Sequence, residues 1–235
     1  MRIAAVADLH CGSADRERIR ERLGAVGQEA DLLLLCGDLT NYGKLEELEV
    51  LVSQLLRLRI PVISILGNHD YESGQAEQLL AALRDVGIKT LDGEPYERQG
   101  VGFAGVKGFC GGFGTGELMP FGEPEIKAFA QVAVQEALRL ERALAQLRTQ
   151  RRIALLHYAP IPQTVAGEPP EIFPFLGSSR LSDVCDRFAV TAVFHGHAHH
   201  GSPEGRTRGG VPVYNVAYPL LQRQSPPANY KLLDL

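Results

Sequence analysis

Three short apolar runs in the first third of the chain each end in a polar cluster, and the clusters recur at a fixed interval. Ile3 to Ala7 leads into Asp8-Leu9-His10, Leu32 to Cys36 into Gly37-Asp38, and Val62 to Leu66 into Gly67-Asn68-His69-Asp70. Asp8, Asp38 and Asn68 stand thirty positions apart, close to the length of one strand, one helix and a return connection. The segments between them carry helical stripes: Ile19, Leu23, Val26 and Ala30; then Leu45, Leu48, Val52, Leu55 and Leu56; then Ala76, Leu79, Leu80, Leu83 and Val86, with Gly87 as a C-terminal stop. A continuous apolar run suits a parallel strand buried on both faces. The βαβαβα order predicts an α/β fold with a parallel sheet and right-handed crossovers. Equal spacing then delivers each polar cluster to the same carboxyl edge of that sheet, where open α/β folds place their ligands.

The remainder is less regular. Thr90 to Val106 reads as short segments broken by glycine, and Lys107 to Gly116 as a flexible glycine-rich loop. That loop lacks the Gly-Lys-Ser/Thr ending of a phosphate-binding P-loop. A long helix is expected from Glu123 to about Gln150, a strand at Ile153 to Leu156, a Pro-rich loop from Ala159 to Pro174, a short helix near Leu181 to Arg187, and a strand at Val190 to Phe194. Gly209-Gly210 signals a hairpin between Arg206-Thr207-Arg208 and Val211 to Val216. With no internal repeat and no linker, residues 1–235 read as one domain.

Composition narrows the function classes. The 24 Lys and Arg against 28 Asp and Glu give a formal charge of −4, which argues against an extended nucleic-acid surface, since such surfaces need a basic surplus. No apolar run approaches the roughly 18 residues of a membrane span, and the N-terminal run is too short for a signal-peptide core. Cys11, Cys36, Cys110 and Cys185 show no metal-site or disulfide spacing. A cytoplasmic protein with free thiols is the expectation, and Cys11 reads as an unreactive small side chain.

Histidine placement points to a metal centre. All seven histidines (His10, His69, His157, His195, His197, His199 and His200) fall at or beside strand ends. In Asp8-Leu9-His10 and His197-Ala198-His199 the paired residues are two apart, so extended backbone puts both on one side. Carboxylate, imidazole and amide oxygen converging at one edge suit Mn²⁺, Fe or Zn²⁺ better than a structural thiolate zinc site. His195 is expected to complete a strand end and His200 to be exposed.

The ordered set Asp8-x-His10, Gly37-Asp38, Gly67-Asn68-His69-Asp70, His157 and Gly196-His197-x-His199 resembles the calcineurin-like metallophosphoesterases, from residue 6 to residue 199. The resemblance implies a four-layer α/β/β/α sandwich of two mixed β-sheets flanked by helices. It implies two divalent metal ions, manganese foremost and Fe, Zn or Ni otherwise. One would be held by Asp8, His10, Asp38 and His199, the other by Asp38, Asn68, His157 and His197, with Asp38 bridging. His69 would be catalytic, reaching the phosphate or leaving oxygen, with Asp70 orienting it. The implied chemistry is hydrolysis of phosphodiester or phosphomonoester bonds by a hydroxide between the metals, failing below about pH 6 as the ligand histidines protonate.

Nothing in the chain is long enough for a separate cap domain, so the partner is expected to be a small phosphate ester. The segment Ala159 to Pro174 and the region of Ser178, Ser179 and Arg180 are expected to face it, with Phe173 and Phe175 as anchors or stacking platforms. A single-strand-directed nuclease and a non-catalytic interaction scaffold are the alternatives. The first is disfavoured by charge and the second by the intact ligand set.

Overall fold

The computed structural model describes residues 1–235. Its strands are β1 (Arg2–Val6), β2 (Leu32–Cys36), β3 (Val62–Ile65), β4 (Lys89–Thr90), β5 (Pro95–Arg98), β6 (Val101–Val106), β7 (Arg151–Leu156), β8 (Ala192–His195), β9 (Glu204–Arg206), β10 (Pro212–Asn215) and β11 (Lys231–Asp234). The helices are α1 (Arg16–Leu23), α2 (Val26–Glu29), α3 (Leu45–Leu55), α4 (Ala76–Asp85), α5 (Pro124–Gln146), α6 (Phe173–Leu176), α7 (Ser179–Arg187) and α8 (Tyr218–Leu221).

Two sheets form, in the orders β11-β1-β2-β3-β4 and β5-β6-β7-β8-β10-β9. Strands β1 to β4 run parallel, as do β6, β7, β8 and β10, and the antiparallel members β11, β5 and β9 lie on the edges. Both sheets are therefore mixed. Period-two alternation divides the second sheet's side chains between two cores. Phe103, Ile153, Leu155 and Phe194 pack with Leu33, Leu35 and Ile63 of the first sheet. Ala104, Val106, Ala154, Leu156 and Val193 pack with Leu140 and Leu144 of α5 and Leu181 and Val184 of α7. Ile19, Leu48, Leu51, Leu79 and Leu83 carry α1, α3 and α4 into the first sheet's core. The result is the expected four-layer α/β/β/α sandwich; each fully buried leucine contributes on the order of 1.5–3 kcal/mol.

Local chemistry sets the boundaries. Glu47 accepts the N–H groups of Tyr42 and Lys44 at the start of α3, and Ser178 accepts the Arg180 N–H at the start of α7. At the end of α4, Gly87 turns with φ +83° while the Ile88 N–H reaches back to Leu83. Elsewhere the helices differ from the sequence expectation. The first stripe is interrupted after Leu23, dividing the expected helix into α1 and α2. The buried face of α3 is Leu48, Leu51 and Leu55, and Leu56 is exposed. Helix α5 ends at Gln146 because Leu147 turns extended and Glu97 takes the N–H groups of Arg148 and Thr149.

The segment Lys107 to Gly116, expected to be flexible, is instead tied into the fold. Gly111 and Gly112 N–H donate to Pro174 and Gly177, and Gly114 N–H to the Ser179 hydroxyl. Ser178 and Arg180, expected to face a substrate, bind Glu117 and the Leu118 carbonyl.

Candidate metal centre

The carboxyl ends of β1, β2, β3, β7 and β8 meet at one edge and bring Asp8, His10, Asp38, Asn68, His157, His197 and His199 together. Three overlapping groups have side-chain donor atoms within 4.8 Å of one another: Asp8, His10 and His199; His10, Asp38 and His69; Asp38, His157 and His197. His199 Nε2 lies 3.0 Å from Asp8 Oδ1, and His157 Nε2 lies 2.8 Å from Asn68 Oδ1. Asp38 sits between the two sides, Oδ2 at 3.8 Å from His10 Nε2 and Oδ1 at 3.3 Å from His157 Nε2.

The backbone is bent to make this convergence. Asp8, His10, Asp38 and His197 have φ of 57°, 43°, 50° and 69°, left-handed values that cost roughly 1–3 kcal/mol each for such residues and concentrate at functional sites. Two glycines make room: a Cβ at Gly67 would collide with the Asp38 carboxylate, and one at Gly196 with that of Asp8. The carboxylates are further held by main-chain donors, His69 N–H to Asp38 Oδ1 at 2.8 Å and His197 N–H to Asp8 Oδ2 at 3.0 Å.

Electrostatics favours charged carboxylates here. Burial pushes Asp8 and Asp38 upward, but hydrogen bonds and charge from His199 and His157 outweigh it, and both lie below the usual range. Burial pulls His157 down, yet Asp38 prevails and raises it to about 9. Burial takes His197 down to about 4 and also lowers His10. These fields are those of the metal-free chain.

Orientation comes from neighbouring carbonyls. His157 Nδ1 lies 3.0 Å from the Cys36 carbonyl, which leaves Nε2 facing the carboxylates, the arrangement typical of metal-binding imidazoles. His197 Nε2 lies 3.3 Å from the Phe175 carbonyl, leaving Nδ1 as its free nitrogen. His10 is different: both ring nitrogens are buried without any hydrogen-bond partner. Such an orphaned pair is costly in a purely structural role. Nitrogen and oxygen donors around it fit a hard or borderline divalent cation.

One expected contact is corrected. Asp70 does not orient His69, whose Nδ1 lies 2.8 Å from the Asn41 carbonyl. Asp70 is fully buried and accepts the N–H groups of Leu39, Thr40 and Gly67 and the Thr40 hydroxyl at 2.6–3.1 Å. It ties the loop after β3 to the loop after β2. Burial, reinforced by Asp38, raises it to about 6.

Other residues fall as read. His195 is buried between the Gly196 carbonyl and the Thr164 hydroxyl, His200 is exposed, and burial pushes the Cys11 thiol up to about 12. Phe173 packs against Val165, Leu176 and Ala198, whereas the Phe175 ring is exposed. Arg223 was not singled out in the sequence: its guanidinium donates to the His199 carbonyl and contacts His200 Nδ1. No motif flags it, since it works through main-chain oxygen and lies in the irregular C-terminal region.

A two-sheet sandwich with a His/Asp/Asn cluster at its carboxyl edge is the architecture of a metallophosphoesterase. The calcineurin-like phosphoesterase model matches residues 1–201, and the chain belongs to that family of phosphoester hydrolases. Among solved structures it is similar to a phosphopantetheinyl hydrolase from Mycobacterium tuberculosis, at 19 % identity over 98 % of this chain and 95 % of that chain, TM-score 0.68. It is also similar to TT1561 of Thermus thermophilus, at 17 % identity over 99 % and 93 %, TM-score 0.58. A putative 5′-nucleotidase from Staphylococcus aureus follows at 15 % identity over 91 % and 48 %, TM-score 0.52. At these identities the likeness is one of fold. No curated protein matches the chain significantly. No helix is long and apolar enough to cross a membrane.

Proposed function

We propose that this chain, acting as one domain over residues 1–235, hydrolyses phosphodiester or phosphomonoester bonds of small substrates with the help of two divalent cations. The observation that carries the reading is His10, whose two ring nitrogens are buried without partners beside Asp8 and Asp38. Asp8, His10, Asp38 and His199 would hold one ion and Asp38, Asn68, His157 and His197 the other, with Asp38 shared by both. Two such ions neutralise phosphate charge and activate water for in-line displacement. Carboxylate, amide and imidazole donors with no thiolate suit manganese, iron, zinc or nickel, and manganese is the ion to try first.

The chain's own groups supply the rest. The Cys36 carbonyl keeps the proton on His157 Nδ1 and the Phe175 carbonyl engages His197 Nε2, so each ring presents its other nitrogen inward. The Asn41 carbonyl engages His69 Nδ1, which leaves Nε2 as the nitrogen that would stabilise charge on the leaving oxygen or protonate it. Phe175 adjoins the cluster through its carbonyl and its ring is exposed, free to serve as a platform for an apolar or planar leaving group. Four free, buried cysteines support a cytoplasmic setting.

The test is a substrate panel with Mn²⁺: an aryl monoester, an aryl diester, a cyclic nucleotide, a 5′-nucleotide, a phosphopantetheinyl ester and single-stranded DNA. Hydrolysis of a small ester is expected. No turnover of any small ester by metal-loaded protein would overturn the reading.

A further inference from the structure

Lys107 follows β6 directly beside the His157 loop and has no part in the assignments above. In the β6/β7 ladder Val106 pairs with Leu156, and both face the α5 and α7 layer. The next residues, Lys107 and His157, therefore lie side by side at the same height. The Lys107 carbonyl accepts the N–H groups of both His157 and Tyr158 at 3.0 Å, which fixes the lysine's Cα beside the ligand loop.

Its ammonium lies in an aromatic cage. Nζ is 5.0 Å from the Phe109 ring centre, 5.1 Å from Tyr158 and 5.4 Å from Tyr71, within cation–π range. Two of these rings belong to loops that carry cluster residues. Tyr158 follows His157 and its ring is 4.4 Å from that of His197, and Tyr71 follows Asp70 in the loop that carries Asn68 and His69. The only hydrogen bond from Nζ goes to the adjacent Gly108 carbonyl at 3.0 Å. The nearby carboxylate, Glu136, is taken by the Gly108 N–H and Arg139. An ammonium has three N–H donors, so two remain without a hydrogen-bond partner in the protein. Burial pulls the Lys107 pKa down and Glu136 opposes it, as expected for a partly desolvated cation that an anion would stabilise.

We propose that Lys107 anchors a non-reacting anionic oxygen of the substrate on the His157 side of the cluster, so that phosphate groups carrying a second negative charge are favoured over diesters. This rests on the phosphoesterase reading above and names the substrate class within it. A diester presents a single negative charge to be shared among cations, whereas a monoester dianion, or inorganic phosphate as product, has an oxygen to spare for a charge-assisted hydrogen bond.

The test uses the Mn²⁺-loaded full chain with Lys107→Met and Lys107→Arg. Bound metal is measured by elemental analysis, inorganic phosphate binding by calorimetry, and kcat and KM on an aryl monoester and an aryl diester. For Lys107→Met the metal content is expected to stay unchanged and phosphate to bind about 10- to 100-fold more weakly. The monoester KM should rise by the same factor and the diester KM by less than about threefold. Lys107→Arg should recover much of the loss. Equal losses on both esters, unchanged phosphate binding, or loss of metal would each overturn the proposal. If Lys107→Met does not fold, Lys107→Gln, which keeps a donor for Gly108, reads the same quantities. Should the wild type bind metal but hydrolyse neither ester, the phosphoesterase reading fails by itself, and the phosphate titration still decides whether Lys107 binds the anion.

Discussion

At His157 both ring nitrogens are engaged, one by the Cys36 carbonyl at 3.0 Å and the other by Asn68 at 2.8 Å; at His10, on the far side of Asp38, neither has a partner. The His157 side is assembled by the fold's own hydrogen bonds and carries a proton where a cation would bind. On the His10 side Asp8 is held by His199 and the His197 N–H, but both ring nitrogens of His10 are left unsatisfied. A buried orphan nitrogen costs about 1–3 kcal/mol. A site that is complete only with its ion explains why that cost persists.

The comparison can be broken in several ways, taken from the largest effect downward. Asp38→Ala removes the one residue common to both sides. Bound metal should fall from two ions per chain to none, with activity down at least about a thousandfold, read by elemental analysis and turnover. His69→Ala should keep both ions and lose roughly 10²–10⁴ in kcat; unchanged turnover would remove His69 from the chemistry.

Stability of the metal-free chain separates the two sides directly. His157→Ala leaves a buried carbonyl and amide unpaired and should cost about 1–3 kcal/mol in denaturant unfolding. His10→Ala should leave it unchanged or raise it, because no hydrogen bond is lost and two unsatisfied nitrogens are removed, while abolishing binding of one ion. Equal costs would end the distinction.

Protonation offers a finer test. Burial depresses His157, but Asp38 overrides it and lifts the pKa from 6.5 to about 9. In the metal-free protein that stabilisation is complete below pH 6.5 and lost as pH rises through 9. Burial holds His195 and His197 near 4, so their contribution is lost as pH falls from 6.5 to 4. Between pH 6.5 and 9 cation binding must displace the His157 proton, and affinity should weaken by up to about tenfold per pH unit on acidification. Calorimetry in buffers of different ionisation enthalpy reads that proton release. The smallest effect is expected at Arg223, which steadies His199 only through its carbonyl: Arg223→Ala should weaken metal binding by about tenfold.

The same contrast describes what could be read from sequence. Asp8, Asp38 and Asn68 were legible because parallel strands convert a thirty-residue interval into equal height at one sheet edge. His157, His197 and His199 come from the second sheet, whose strands are separated by a long helix and irregular loops; the family's ordered motifs identified them, and periodicity alone did not. Strand β11 escaped notice because Lys231–Asp234 is half exposed and pairs with β1 from the far end of the chain. Asp70 departs from the role the family resemblance implied, because its buried carboxylate satisfies main-chain donors of its own and the neighbouring loop. Arg223 and the Phe175 carbonyl act through tertiary contacts that leave no local pattern.

Hydrolysis of an aryl phosphate ester, followed while Mn²⁺ is titrated into metal-free protein, tests the two-ion claim most directly. Turnover is predicted to stay near background through the first equivalent and to rise as the second site fills. Full turnover with one ion bound, or none with two, would contradict it.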